Sequence, residues 1–189
     1  MNNFRKQYTY VLKSIKKDNQ LLPKLSVKDK HYVICGGTRG IGFSIAETLA
    51  LNGAKVSIFG KTKNYHKKLE NTIYSASEKI CEATKKVNCL PILCDIRNTN
   101  EINIGVNQCI DNFGPIDGVV LNASALCLNS TLKQTEKEVD LMNGVNIKGS
   151  FMFGQKCLQT METRKGHMII IAPPLEMLNN DDWWIKHLF

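Results

Sequence analysis

The chain has 189 residues, a length that predicts a single domain with a core large enough to fold without disulfides or a structural metal. Its formal net charge is +8, but residues 1–30 hold eight Lys or Arg against two Asp and supply six of those charges. The rest of the chain is nearly neutral, which argues against a nucleic-acid-binding surface on the folded part. Because no apolar run reaches the ~20 residues needed to cross a bilayer, we also expect no membrane span.

The seven cysteines are scattered along the chain and include no Cys-x-x-Cys pair. Most of them lie inside apolar runs, as the buried thiols of proteins from reducing compartments do. We therefore predict reduced cysteines in the core, no metal site and a cytoplasmic location.

The first 29 residues form a basic N-terminal arm ahead of a domain that we predict for residues 30–189. Within the arm, residues 4–17 place apolar side chains on one helical face, with basic residues around them and no acid. Such a segment is typical of a transit peptide for the mitochondrion or another organelle, and also of a surface helix packed on the domain. Both interpretations of the arm stay open.

From residue 31 onward, apolar runs of strand length alternate with stretches of helical spacing. We predict strands over residues 31–35, 55–59, 89–94, 117–121 and 167–172. We predict helices over residues 41–52, 67–86, 100–113 and 136–161. The last two strands are apolar on both sides, which is typical of a parallel sheet covered by helices on each face. The sequence therefore predicts an α/β fold with a Rossmann-type, doubly wound parallel sheet.

Glycines interrupt the junction between the first strand and the first helix. A helix that begins in a glycine-rich turn points unpaired amides and its positive dipole end at an anion, and the missing side chains let phosphates approach closely. Glycines at this spacing also occur in ordinary loops, so their position between a strand and a helix is what favours a nucleotide site. We predict a pyrophosphate site formed by Gly36, Thr38, Arg39, Gly40, Ile41 and Gly42.

The second strand ends without a carboxylate, in the sequence Phe-Gly-Lys-Thr at residues 59–62. An acid at this place normally accepts hydrogen bonds from the free 2′-hydroxyl of the adenosine ribose. Lys61 stands there instead, and Arg39 of the glycine turn is a second cation for a 2′-phosphate. We therefore predict NADP(H) rather than NAD(H) as the cofactor. The alternative for Lys61 is a solvated loop lysine.

Several of these segments resemble motifs of the short-chain dehydrogenase/reductase family, in the family's order. Residues 35–42, Cys-Gly-Gly-Thr-Arg-Gly-Ile-Gly, resemble the signature Thr-Gly-x-x-x-Gly-x-Gly, with Cys in place of Thr. Residues 121–124 are similar to the Asn-Asn-Ala-Gly motif, and residues 145–149 contain Val-Asn-x-x-Gly. The resemblance covers about residues 30 to 189, and further segments resemble the family's hydroxysteroid dehydrogenase-like subgroup.

The resemblance implies roles for residues outside the glycine turn. The implied cofactor-lining residues are Asp95, Ile96, Asn122, Ala123 and Ser124. Asp95 and Ile96 would hold the adenine, and residues 122–124 are otherwise an ordinary polar loop. Asn146 would belong to the catalytic tetrad, kink its helix and hold a proton-relay water. The alternative is a helix asparagine that satisfies its own backbone.

The family's catalytic Tyr-x-x-x-Lys pair is absent from the 189 residues. The five tyrosines occupy positions 8, 10, 32, 65 and 74, and none has a lysine four residues later. A fixed cation is needed there because a phenol otherwise titrates near pH ~10. By resemblance, residues 184–189 approach this motif. We therefore expect a chain that is incomplete at its C-terminus, a sheet that is truncated after the fifth strand, and no turnover by this polypeptide.

Two functions are compatible with these features. The first is an NADP(H)-dependent oxidoreductase acting on a small-molecule alcohol or carbonyl, with lipid-like compounds among the candidates, whose full-length relatives are homo-oligomers. The second is a catalytically silent NADP(H)-binding module that senses the nucleotide or pairs with a complete relative. A Tyr-x-x-x-Lys motif encoded shortly after residue 189 would favour the first.

Overall fold

The computed structural model of the protein describes residues 26–65, 67, 71–127, 129, 131–161 and 165–172. The amphipathic helix predicted for the basic arm, residues 4–17, lies outside this part, as do residues 173–189. No helix in the described ranges is long and apolar enough to cross a membrane.

Five parallel strands form one sheet in the order β3-β2-β1-β4-β5. The strands are β1 (His31–Cys35), β2 (Lys55–Gly60), β3 (Cys89–Leu93), β4 (Gly118–Leu121) and β5 (His167–Ile170). The chain moves outward from β1 to β3 and then crosses back to place β4 on the other side of β1. Such a reversal opens a crevice at the carboxyl ends of the central strands, where α/β folds bind their ligands. The predicted doubly wound parallel sheet of five strands is confirmed.

Two apolar cores hold helices against the two faces of this sheet. The helices are α1 (Gly40–Leu51), α2 (Ile73–Thr84), α3 (Thr99–Phe113), α4 (Glu136–Met142) and α5 (Ser150–Met161). Because successive strand residues point to opposite faces, Ile34 packs into the core that contains α1 and α2. Its neighbours Val33 and Cys35 pack into the core that contains α3 and α5. The carboxyl ends of the strands are therefore held between helices on both sides.

The helix predicted for residues 67–86 is shorter in the structure and runs from Ile73 to Thr84. Thr72 caps it: its Oγ1 accepts the Ser75 N–H at 3.1 Å, while the Ser75 Oγ accepts the Thr72 N–H at 3.0 Å. This reciprocal cap satisfies amides that have no partner within the helix. The cap therefore places the first helical residue at Ile73, six residues later than periodicity predicts.

The helix predicted for residues 136–161 is divided by a π-helical segment, Asn143–Gly149, between α4 and α5. The Ser150 hydroxyl donates a hydrogen bond to the carbonyl of Val145, five residues earlier, at 3.2 Å. Gly149 permits the tight packing at its end, since a Cβ there would lie 2.8 Å from the carbonyl oxygen of Gly144. Widened turns of this kind occur often at functional sites. This one carries Asn146.

The cysteines behave largely as predicted. Five of the seven are buried, Cys81 and Cys127 are half-buried, and all seven are free thiols. Burial raises the pKa of Cys35, Cys89, Cys94 and Cys109 to about 12. These thiols therefore stay protonated at neutral pH and pack as small apolar groups.

Candidate functional site

The glycine turn after β1 is clamped by the ends of two neighbouring strands. The amides of Gly36 and Gly37 donate to the carbonyl oxygen of Phe59 at 2.9 and 3.2 Å. The carbonyl oxygen of Gly36 accepts a hydrogen bond from Asn122 Nδ2 at 2.9 Å. Gly36 has a φ of +83°, and a Cβ there would lie 2.8 Å from the backbone of Ala123. Only glycine fits this position, and it fixes the turn between the ends of β2 and β4.

Gly40 and Gly42, the last two glycines of the turn, differ in how closely other atoms pack around them. A Cβ on Gly42 would lie 2.1 Å from the carbonyl oxygen of Gly36, so α1 packs on the turn at this point. A Cβ on Gly40, whose φ is +55°, would meet no atom within 4 Å. The N-cap residue Arg39 makes no capping hydrogen bond with its side chain. Since the first amides of a helix lack partners within it, the start of α1 offers hydrogen-bond donors and a positive dipole end beside open space.

A cavity of about 340 Å³ opens beside this turn at the carboxyl ends of β1 to β4. The lining residues that the sequence singled out are Gly36, Thr38, Arg39, Ile41, Lys61, Asp95, Ile96, Asn122, Ala123 and Ser124. Gly40 and Gly42 belong to the same turn but do not line the cavity. The structure therefore brings together residues from four separate loops that were selected by motif alone.

Seven residues of the cavity wall were not predicted from the sequence. They are Phe59, Gly60, Thr62, Cys94, Ala125, Leu141 and Val145. The first five adjoin predicted residues at the ends of strands, so the topology alone would have included them. Leu141 and Val145 come from α4 and the π-helical segment. Val145 is the first residue of the Val-Asn-x-x-Gly motif, and Leu141 lies one helical turn before it.

Two cations and one carboxylate contribute charge to the cavity. Arg39 and Lys61 are exposed, and neither forms an ion pair with a described carboxylate. The Asp95 carboxylate accepts hydrogen bonds from Arg97 Nε at 3.0 and 3.1 Å, and this guanidinium lowers the pKa of the carboxyl group. Asp95 is therefore ionised, with Arg97 as its partner outside the cavity wall. Lys61 also acts electrostatically on this carboxylate and helps to lower its pKa, whereas Arg39 forms no ion pair with a described carboxylate.

Asn146 lies beside this cavity rather than in its wall. Its Oδ1 accepts the Ala125 N–H at 2.8 Å, and its Nδ2 donates to the Ala125 carbonyl oxygen at 2.9 Å. The side chain therefore braces the loop after β4, and the alternative in which it satisfies its own helix is excluded. It lines a second, larger groove of about 860 Å³ together with apolar residues that include Phe151 and Ile170.

The model of the short chain dehydrogenase family matches residues 30–175, which include the glycine turn and all five strands. The chain belongs to the short-chain dehydrogenase family. Over 155 residues it is 40% identical to hydroxysteroid dehydrogenase-like protein 2 of Xenopus tropicalis and 39% identical to the Homo sapiens protein of that name. Each of these matches covers 82% of this chain and 36% of the relative.

A solved structure shares the arrangement of the five strands and their helices. The crystal structure of a short chain dehydrogenase from Mycobacterium thermoresistibile matches with a TM-score of 0.76 and 36% identity, covering 85% of this chain and 59% of that chain. The chain spans 36% of the length of the two curated relatives named above. The predicted family membership is confirmed.

The family and the fold imply a nicotinamide nucleotide cofactor, and the described residues fit one. The open space at Gly40 and the amide donors at the start of α1 suit a diphosphate. The cavity extends from the start of α1, at Ile41, to the loop after β3, at Asp95, and to the loop after β4, at Asn122. These two loops would contact the two nucleoside halves, one on each side of the diphosphate.

Proposed function

We propose that the chain carries the nucleotide-binding part of an NADP(H)-dependent oxidoreductase of the short-chain type, which acts on an alcohol or a carbonyl. One observation carries this proposal: Arg39 and Lys61 lie on the same cavity as the glycine turn, and β2 ends without a carboxylate. An acid at the end of β2 would select a free 2′-hydroxyl. Two cations instead favour a 2′-phosphate, through charge-assisted hydrogen bonds.

In this proposal each wall of the cavity has one task. The amides at the start of α1 bind the diphosphate, and Arg39 and Lys61 bind the 2′-phosphate. Asp95 and Ile96 at the end of β3 hold the adenine, where the ionised carboxylate of Asp95 is able to accept an amino hydrogen. Residues 122–124 after β4 line the path to the nicotinamide. Asn146 supports that path through its two hydrogen bonds to Ala125.

The nicotinamide, when bound, exchanges a hydride with the carbon of the substrate. The accompanying proton needs an acid whose pKa is lowered by a nearby cation, and residues 1–189 contain no Tyr-x-x-x-Lys. We therefore expect this polypeptide to bind the nucleotide without turnover. The name of the relatives, hydroxysteroid dehydrogenase-like protein 2, supports a lipid-like alcohol or ketone as the substrate class.

A second candidate that the same nucleotide cavity supports is a catalytically silent NADP(H)-binding module that senses the nucleotide or pairs with a complete relative. The two candidates differ in one measurement on the longest polypeptide that the gene encodes. Oxidation of NADPH with a panel of ketones supports the enzyme. Tight NADPH binding without oxidation supports the silent module. Homo-oligomerisation of the full-length protein and its cellular compartment stay predictions from the sequence.

The nucleotide proposal is tested by titrating NADPH and NADH against the 189-residue chain in a calorimeter. We expect NADPH to bind at least about tenfold more tightly, because the 2′-phosphate gains two cationic partners. The Arg39→Ala/Lys61→Ala variant should lose this preference. Lys63→Ala, an exposed lysine that does not line the cavity, should keep it. Equal affinities in the unmodified protein would exclude NADP(H) selectivity, and binding of neither nucleotide would exclude the site.

A further inference from the structure

The stretch just before α2 contacts the backbone beside both cations of the cavity. Asn71 is 6% exposed, and its Nδ2 donates to the carbonyl oxygen of Thr38, the residue before Arg39, at 3.0 Å. Two residues later, the Ile73 N–H donates to the carbonyl oxygen of Thr62 at 2.8 Å. Thr62 directly follows Lys61. One short stretch therefore ties together the two loops that carry the positive charges.

The side-chain amide of Asn71 has a single orientation. Lys79 of α2 donates from Nζ to Asn71 Oδ1 at 2.6 Å, while the Thr38 carbonyl oxygen accepts from Nδ2. A lysine ammonium can only donate and a carbonyl can only accept, so exchange of the oxygen and nitrogen of the amide would break both bonds. Lys79 thus holds Asn71 in the orientation that bonds Thr38.

This hydrogen bond fixes the direction of the peptide between Thr38 and Arg39. The peptide is planar, so a carbonyl held toward Asn71 turns the Arg39 N–H to the opposite side. Thr38 is also packed against the end of β2, since a Cβ on Gly60 would lie 2.6 Å from Thr38 Cγ2. The backbone that sets the starting direction of the Arg39 side chain is therefore held at two points.

We propose that Asn71, held by Lys79, is a positioning residue for recognition of the 2′-phosphate. Neither side chain lines the cavity, so both act on it through the peptide that joins Thr38 to Arg39. Asn71 fixes the Thr38–Arg39 peptide and so keeps the guanidinium on the side of the cavity where Lys61 lies. The inference rests on the proposed function, because it concerns selectivity at the same nucleotide site.

The test measures dissociation constants of NADPH and NADH for variants of the full chain. Asn71→Ala should raise the NADPH constant about tenfold and the NADH constant about threefold or less, because NADH lacks the phosphate that Arg39 binds. In an Arg39→Ala background the same change should raise the NADPH constant by about threefold or less, as it does the NADH constant, because only the contribution through Arg39 is lost. Lys79→Met, at an exposed helix position, should raise the NADPH constant about threefold.

Asn88 provides the matched control. It is 9% exposed, and its Nδ2 donates to the carbonyl oxygens of Ala50 and Ala54 at 3.1 and 3.0 Å, away from the cavity. Asn88→Ala should lower the melting temperature as Asn71→Ala does, but leave both dissociation constants unchanged. This control separates loss of selectivity from general loss of stability.

Two results would overturn the inference while leaving the cofactor proposal intact. The first is an unchanged ratio of NADPH to NADH constants in Asn71→Ala or, if that variant does not fold, in Lys79→Met. The second is an equal loss of NADPH affinity with and without Arg39. If instead the unmodified chain shows no NADPH preference, the cofactor proposal itself fails. That failure is measured on the unmodified chain alone, so it is distinguishable from a failure of the Asn71 inference.

Discussion

Asn122 and Gly36 are joined by a 2.9 Å hydrogen bond from the side-chain Nδ2 to the carbonyl oxygen. The bond links the end of β4 to the glycine turn after β1, at the place where the strand order reverses. A Cβ on Gly42 would lie 2.6 Å from this Nδ2 and 2.1 Å from this carbonyl oxygen. The bond therefore requires glycine at position 42. Through it, the glycine turn, α1 and the loop after β4 are packed together as one rigid region.

Gly42→Ala and Gly40→Ala should separate the stability of this unit from its binding function. Gly42→Ala should reduce the free energy of unfolding by about 1–3 kcal/mol, because the methyl group overlaps the Gly36 carbonyl. Gly40→Ala should cost only about 1 kcal/mol, for its positive φ. It should weaken NADPH binding more than about tenfold, because its methyl group stands between two residues that line the cavity, beside the helix start proposed for the diphosphate. Urea unfolding and calorimetric titration measure the two effects.

Gly114 is the control for this pair. Its φ is +84°, and a Cβ there would meet no atom within 4 Å, as at Gly40, but it lies at the end of α3. With a ψ of −167°, Gly114 lies in a backbone region that only glycine favours, so Gly114→Ala should carry at least as much strain as Gly40→Ala and leave NADPH binding unchanged. Normal affinity in Gly40→Ala would contradict the placement of the diphosphate, and normal stability in Gly42→Ala would contradict the packing described here.

Lys61→Asp should reverse the cofactor preference. The change puts a carboxylate at the end of β2, where it repels a 2′-phosphate and accepts hydrogen bonds from a 2′-hydroxyl. We expect the NADPH constant to rise about a hundredfold and the NADH constant to fall, both measured by titration. Lys63→Asp makes the same charge change two residues later, at an exposed position outside the cavity wall, and should alter neither constant by more than about threefold. Retention of NADPH preference in Lys61→Asp would show that Lys61 is a solvated loop lysine.

The strands were predictable because each is a short, mostly apolar run between stretches of helical spacing. The site was predictable because parallel strands end at the same edge of the sheet. Arg39, Lys61, Asp95 and Asn122 each follow a strand, so the topology alone brings them together. The features that could not be predicted from the sequence are interactions between segments that lie far apart in the chain. The contact of Asn71 with Thr38 joins residues 33 positions apart, in a pattern that leaves no periodic signal.

The prediction of helix boundaries was wrong for a different physical reason. The late start of α2 depends on the reciprocal cap between Thr72 and Ser75, which overrides the helical spacing of the residues before it. The π-helical segment depends on the close approach of Gly149 to the Gly144 carbonyl and to Ile96. Neither feature changes the apolar pattern, so periodicity alone predicts uninterrupted helices.

Asn146→Ala should destabilise the loop after β4. The change leaves the N–H and the carbonyl of Ala125 without their partners, so we expect a loss of about 2 kcal/mol in the free energy of unfolding, measured with urea. NADPH affinity should fall as well, because Ala125 lines the cavity. Asn112→Ala removes one local bond to the Gln108 carbonyl on the exposed face of α3 and should change stability by less than about 0.5 kcal/mol. An Asn146→Ala variant as stable as Asn112→Ala would refute the bracing role.

His31 connects three segments at the opposite end of β1 from the site. It is 1% exposed, with Nδ1 2.9 Å from the Gly114 carbonyl oxygen and Nε2 2.8 Å from Ser57 Oγ. Because a carbonyl only accepts, Nδ1 carries the proton and Nε2 accepts from the Ser57 hydroxyl in the neutral ring. Burial lowers the pKa of His31, against the raising effects of Gly114 and Asp117.

The free energy of unfolding should therefore decrease as the pH falls, because acid favours the protonated form of His31 that the folded state disfavours. The folded state favours the neutral ring, whereas an unfolded histidine titrates near ~6.5, so the unfolded chain binds the proton more tightly. The contribution is complete above that pH and is lost as the pH falls toward the lower folded pKa. Urea unfolding between pH 8 and pH 5 should show this decline, and His31→Gln should reduce it at the cost of lower stability at pH 8. His167→Gln, at the exposed start of β5, should retain the decline, and an identical slope in His31→Gln would assign it to other groups.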